Sequence, residues 1–141
     1  AVQAVFENKA GGPALVRLNP DRLIQAVINP LENAVSFSPP GGMVRVELAA
    51  ESRPAENGGK SWSITIDDQG PGIREESGDR YFQRFYSERP QEERNRHSGL
   101  GLAIAAAIIH GYGGSCSLIN RKDAGGRILG GRFTLTLPAA D

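Results

Sequence analysis

The 141-residue chain is 39% hydrophobic and carries sixteen basic and sixteen acidic residues. That is enough apolar material for one domain with a substantial core, and the cancelled charge gives no field to favour nucleic acid or an anionic membrane as a partner. The single Cys116 excludes an internal disulfide, has no metal-ligand companions and suits a reducing compartment.

The chain begins at Ala1 rather than Met, and no basic-then-apolar signal segment opens it. The longest apolar run, Leu100 to Ile109, is only about half a membrane span. A single domain over residues 1–141, taken from a longer protein, is therefore expected.

In chain order, Ala1 to Phe6 alternates loosely, as a strand or the tail of an upstream element. Asn8 to Pro13 reads as a turn and Ala14 to Leu18 as a short strand. Asn19-Pro20-Asp21 supplies stop and start signals for a helix over Asp21 to Ser38, with Asp21 as its candidate cap. On that helix Arg22, Gln25, Asn29 and Asn33 share one stripe, and Leu23, Val27, Leu31 and Ala34 share another. Asn is a mediocre helix former. Two of them one turn apart beside the apolar face suggest amides held for a ligand. Pro30 removes the hydrogen bond to Ala26 and predicts a kink that displaces Asn29 from regular helical geometry. Ser38-Pro39-Pro40-Gly41-Gly42 ends the helix.

Met43 to Ala49 alternates, with Val44, Val46 and Leu48 on one face. Ser61 to Asp67 alternates too, with Trp62, Ile64 and Ile66 inward. The two are expected to form an antiparallel hairpin across the polar loop Glu51 to Lys60. From Arg74 to Arg96 charges of both signs mix without helical periodicity around Tyr81-Phe82-Gln83-Arg84-Phe85-Tyr86. The aromatic cluster is expected to anchor a short helical turn within a long lid or binding loop. Gly99 to His110 is apolar nearly all round, a buried helix ended by Gly111 and Gly113-Gly114. Ser115 to Asn120 and Arg132 to Leu137 read as strands joined by the Gly-rich turn Asp123 to Gly131.

Two familiar phosphate motifs fail. Gly59-Lys60-Ser61 imitates the end of a Walker A loop, but Pro54 stands where its first Gly is required and a strand follows. Gly70-Pro71-Gly72 and Gly99-Leu100-Gly101 lack the third Gly of a dinucleotide fingerprint, having Glu75 and Ile104 instead. What remains is Asp68-Gln69-Gly70-Pro71-Gly72-Ile73 at a strand end, a carboxylate beside a turn that lets the backbone approach a flat base. Ser98-Gly99-Leu100-Gly101-Leu102 opens the buried helix, where free backbone N–H groups suit phosphate oxygens.

The Asn-bearing helix, Asp-x-Gly-x-Gly-Ile after a strand, the Phe-x-x-Phe lid and the Gly-Leu-Gly-Leu helix start together resemble the ATP-binding catalytic domain of sensor histidine kinases. That domain belongs to the larger class that includes gyrase, Hsp90 and MutL, the Bergerat fold. The resemblance implies an α/β two-layer sandwich: a mixed, mostly antiparallel sheet packed against helices, with an ATP lid over about residues 74–98. It also implies roles for particular residues. Asn33 holds Mg²⁺ through its side-chain oxygen, and Asn29 assists through the ion's water or a phosphate. Asp68 reads the adenine amine, while Gly70, Gly72, Ile73 and Phe37 pack about the base. Ser98, Gly99, Leu100, Gly101 and Leu102 contribute the phosphate cradle. Phe82 and Phe85 couple the lid to the core.

Some positions depart from the family pattern. Ser36 stands where many relatives carry a phosphate-contacting Lys, leaving charge compensation to Arg84 or Arg89. His97, in place of a Gly, reads as a lid-hinge residue. Asn29 occupies the place where hydrolytic relatives carry a water-orienting Glu, and an amide is no general base. Glu32, beside Asn33, lies at the edge of the same polar face and is the candidate catalytic carboxylate.

The implied function is binding of Mg-ATP and donation of the γ-phosphoryl group to an external histidine, since neither His97 nor His110 has an acceptor's context. That acceptor is expected on a separate dimerisation helix domain of a two-component sensor kinase, which then serves a response regulator. By family habit the parent is tethered to the bacterial inner membrane. This domain then lies in the cytoplasm, without direct membrane contact and monomeric alone. The alternatives are an anti-sigma-type serine kinase and a degenerate nucleotide-binding or interaction module.

Overall fold

Strands and helices form where apolar periodicity marks them, in a computed structural model that describes residues 1–51, 59–83 and 100–140. In chain order these are β1 (Gln3–Asn8), α1 (Pro20–Phe37), β2 (Met43–Ala50), β3 (Ser61–Asp67), a 3-10 helix (Glu75–Phe82), α2 (Gly101–Gly111), β4 (Ser115–Lys122) and β5 (Ile128–Pro138). The sheet runs β1-β2-β3-β5-β4. β1 is parallel to β2 and every other pair is antiparallel. The mixed, mostly antiparallel sheet and the β2–β3 hairpin are thus as expected. Among the described residues no helix is long and apolar enough to cross a membrane.

Register explains the core. Side chains alternate across a sheet, so residues paired across neighbouring strands share a face. Val46, Ile66, Phe133 and Leu118 form one row, and Leu48, Ile64, Leu135 and Cys116 the next. Ala26 and Ala34 of α1 and Ala105, Ile108 and Ile109 of α2 belong to the same buried cluster, so both helices lie on this face. Ile66, Ile109, Leu135 and Val44 are among the largest fully buried side chains; each contributes about 1.5–3 kcal/mol by leaving water.

Cys116 shares this environment, and burial pushes its thiol from the ordinary 9.0 up to about 12. The raised value means the neutral thiol favours the fold. Its contribution is complete below pH 9.0 and declines as the pH rises toward 12. Because the thiolate is the nucleophile, native protein at pH 8 is expected to resist iodoacetamide for hours while urea-unfolded protein is labelled within minutes. Equal labelling rates, read by mass spectrometry, would contradict this placement.

Several expectations are corrected. Residues 14–18 are not a strand. The Leu15 carbonyl accepts one bond from the Ala140 N–H while Val16 and Leu18 pack on the core, so side-chain burial, not a ladder, holds the segment. The cap of α1 is Asn19, whose side chain accepts from the Asp21 N–H, with Pro20 at the first turn. Asp21 therefore lies inside the helix. As expected, the helix runs through Pro30, from Pro20 to Phe37. Pro30 is fully buried, and this packing offsets the missing hydrogen bond. Trp62 faces inward as expected, paired with Ala50 and Leu137, and is half-buried there. The last strands are longer than predicted and the turn shorter. Asp123 closes it by accepting from the N–H groups of Gly125 and Arg127 at 2.9 Å each.

Candidate functional site

The apolar rows of the sheet give way at one end to polar residues. Next to the Ile66–Phe133–Leu118 row, Asn120 pairs with Gly131, and Gly131 exchanges hydrogen bonds with Asp68 just beyond β3. The Asp68 N–H donates to the Gly131 carbonyl at 3.0 Å, and the Gly131 N–H donates to Asp68 Oδ1 at 2.9 Å. Gly70 N–H donates to the same Oδ1, also at 2.9 Å. Two backbone donors thus fix one carboxylate oxygen, and geometry of this kind holds a carboxylate at a set angle.

Adjacent aspartates are divided between the faces. Asp67 pairs with Arg132 in a bidentate contact of 2.7 and 2.9 Å. This contact is the chief reason the Arg132 guanidinium is held above its ordinary range. The Arg121 guanidinium donates to the Asp68 carbonyl. Gly130 has φ +153°, and a Cβ there would overlap that same carbonyl oxygen, so β5 approaches the Asp68 backbone as only glycine allows.

Asp68 lines a cavity of about 140 Å³ with Asn33, Phe37, Pro71, Gly72, Ile73, Tyr81, Leu118 and Gly131. The structure therefore brings together five of the predicted residues: Asn33, Phe37, Asp68, Gly72 and Ile73. Gly70 lies just behind them; a Cβ there would be 2.8 Å from the Phe37 carbonyl oxygen. Pro71, Tyr81, Leu118 and Gly131 were not predicted. Leu118 and Gly131 carry a faint signal, since they fall on the inward parity of their strands. Tyr81 was read only as part of a lid anchor. Its hydroxyl accepts from the Arg74 N–H at 2.9 Å and closes the 3-10 helix on itself. This is the expected helical turn, and Phe82 beside it packs 6.4 Å from the Phe133 ring, so this half of the aromatic pair does couple the segment to the core.

On the helical side, Asn33 and Phe37 are one turn apart on α1. The Ser36 hydroxyl bonds back to the Asn33 carbonyl at 2.9 Å. Asn29 does not line the cavity but meets the start of α2: a Cβ built on Gly101 would lie 3.6 Å from the Asn29 Cβ. Leu100 caps α2 without a side-chain bond, and its first turn holds no acidic residue, leaving a positive helix end beside Asn29. Leu102 packs against the core. Glu32 is exposed and is not among the cavity's walls. Ser98, Gly99, Arg84, Phe85, Arg89 and His97 lie outside the described residues.

The sequence profile of the family described as histidine kinase-, DNA gyrase B-, and HSP90-like ATPase matches residues 18–141. Sensor protein ChvG of Agrobacterium fabrum is 39% identical over 145 residues, covering 100% of this chain and 23% of its own length. The signal transduction histidine-protein kinase/phosphatase MprB of Mycobacterium sp. strain KMS is 36% identical over 116 residues, covering 82% of this chain and 21% of its own. A solved structure of a mycobacterial sensor histidine kinase, MprB, superposes with a TM-score of 0.79 at 30% identity, covering 98% of this chain and 82% of that one. The chain thus spans less than a quarter of the length of these curated relatives.

Proposed function

The chain belongs to the histidine kinase-, DNA gyrase B-, and HSP90-like ATPase family, and from that premise we propose that residues 1–141 form one unit that binds Mg-ATP. In this reading the cavity beside Asp68 receives adenine. One observation carries it: Asp68 Oδ1 is committed to the Gly70 and Gly131 N–H groups while the residue lines a cavity walled by Phe37, Ile73 and Leu118. A fixed carboxylate in an apolar slot suits a flat base that presents an exocyclic amine. Phosphates then extend toward Asn33 and the start of α2, where the backbone amides of Leu100 and Gly101 meet negative charge at a helix end.

The residues fit a magnesium ion. Asn33 offers a hard amide oxygen on the cavity wall, and Mg²⁺ needs only one or two protein oxygens beside phosphates and water. When bound, the ion neutralises charge on the phosphate oxygens and so eases transfer of the terminal group. Asn29 is placed to assist through a water or a phosphate oxygen.

The reaction we infer is donation of the γ-phosphoryl group to a histidine on a separate dimerisation helix domain of the parent protein, which in turn serves a response regulator. The parent is a sensor kinase tethered to the bacterial inner membrane, with this domain on the cytoplasmic side. Calorimetric titration with a non-hydrolysable ATP analogue is expected to show one site whose affinity rises with Mg²⁺. A folded chain that takes up no analogue at millimolar concentration sinks the assignment.

A further inference from the structure

Asn120 is a polar residue on the inward face of a strand whose preceding inward positions are Cys116 and Leu118, both packed against the core. A buried or half-buried amide among apolar neighbours costs stability unless its donors and acceptor are used. Here they are used on one loop. Asn120 Oδ1 accepts from the Ile73 N–H at 2.7 Å. Its Nδ2 donates to the Ile73 carbonyl at 2.9 Å and to Glu75 Oε1 at 3.3 Å. The side chain therefore takes both backbone groups of Ile73, as a neighbouring strand would, although residue 73 lies outside any strand.

Two further contacts make this a built arrangement. Gly72 has φ +85°, and a Cβ there would come within 2.5 Å of Asn120 Oδ1 and 2.7 Å of Ile128 Cγ2. The loop thus lies against Asn120 as closely as a glycine permits. Two residues further along β4, Lys122 pairs with Glu75 at 2.6 Å. The Lys122 ammonium, and after it the Asn120 amide, hold the Glu75 carboxyl below its ordinary 4.5.

Resting on the reading of this cavity as an adenine pocket, we propose that Asn120 is a positioning residue that latches the Gly72–Ile73 wall to β4 and so sets the width of the slot for the base. It touches no nucleotide itself. Without it, Ile73 loses the bonds that hold it at the distance a flat ring requires, and the wall must be ordered at the expense of binding.

The test compares Asn120→Ala and Asn120→Asp with the unaltered chain. It measures affinity for a non-hydrolysable ATP analogue and, in nucleotide-free protein, hydrogen exchange at individual amides. In Asn120→Ala the affinity is expected to fall about tenfold, as for loss of one or two hydrogen bonds. Exchange at Ile73 accelerates at least as much, while the β3 and β5 amides keep their rates. Asn120→Asp retains the acceptor for the Ile73 N–H, so it preserves protection there and lies between the two in affinity. The proposal is overturned if Asn120→Ala binds the analogue as the unaltered chain does. It is equally overturned if exchange accelerates across the whole sheet in step with the lost affinity, the mark of general destabilisation. Failure of the unaltered chain to bind would count against the adenine reading instead, and Ile73 exchange would still report the latch.

Discussion

Asp68→Asn is expected to lower affinity for ATP by roughly thirtyfold or more while leaving the fold intact, and the reason lies in the two oxygens' different duties. Oδ1 accepts from Gly70 and Gly131, and in the proposed reading Oδ2 accepts from the base. An asparagine has one oxygen. If that oxygen keeps the Gly70 and Gly131 bonds, the NH₂ group stands where Oδ2 was and opposes the adenine amine, donor to donor. If the amide turns over, the base regains its acceptor but two backbone N–H groups lose theirs. Either arrangement leaves buried donors unsatisfied at about 1–3 kcal/mol each, and 1.4 kcal/mol is tenfold in affinity. Calorimetry on both proteins, with thermal melting as the control for folding, measures the difference. A folded variant that binds within threefold of the unaltered chain would remove Asp68 from the base site.

Which parts of this were legible follows from what periodicity encodes. Alternation in Met43 to Ala49 and Ser61 to Asp67 specified both strand and inward face, because one face is buried and a one-residue slip would expose it. The same logic covers α2, whose apolar character all round allowed only a buried position. It failed at Ala14 to Leu18, where Val16 and Leu18 are anchored by the core without a strand. It also failed at the cap of α1, since Asn19 and Asp21 are both good capping residues and only the backbone's path chooses Asn19. The helix through Pro30 was legible despite the proline, and the buried Ala26–Pro30–Ala34 face shows what supports it there.

The candidate site divides in the same manner. Asp68, Gly70 and Gly72 were readable because they lie close together along one short turn of the chain. Gly131 lines it from β5, 63 positions after Asp68, and Asn120 bonds its Ile73 wall from β4, so strand pairing alone brings them there. Tyr81 was hidden differently: an aromatic in a charged segment has no periodicity to orient it. Asp68 was singled out by the Asp-x-Gly-x-Gly order, and the structure shows why its neighbour does not share the role. Asp67 is occupied by Arg132 on the other face.

Asn33→Ala tests the other end of the site, and the expected loss is in transfer rather than in base recognition. Asn33 lines the same cavity as Asp68, from α1, one turn from Phe37, with Ser36 bonded to its carbonyl. Removing its amide leaves the adenine slot unchanged, so affinity for the analogue without Mg²⁺ is expected to stay within about threefold. The increase in affinity on adding Mg²⁺ is expected to disappear. In the proposed parent kinase, phosphoryl transfer to the proposed acceptor histidine is expected to fall by about 10²–10³-fold, the scale on which removal of one electrostatic stabiliser acts. Unfolding would not account for such a result, because Ala is a better helix former than Asn by about 0.5 kcal/mol and the substitution leaves the buried Ala26–Pro30–Ala34 face of α1 untouched. Asn33→Asp keeps an oxygen toward the ion and should recover part of the Mg²⁺ dependence. An alanine variant that still binds the analogue more tightly with Mg²⁺, or still transfers phosphate at the normal rate, would place the ion elsewhere and leave Asn33 as a wall of the cavity only.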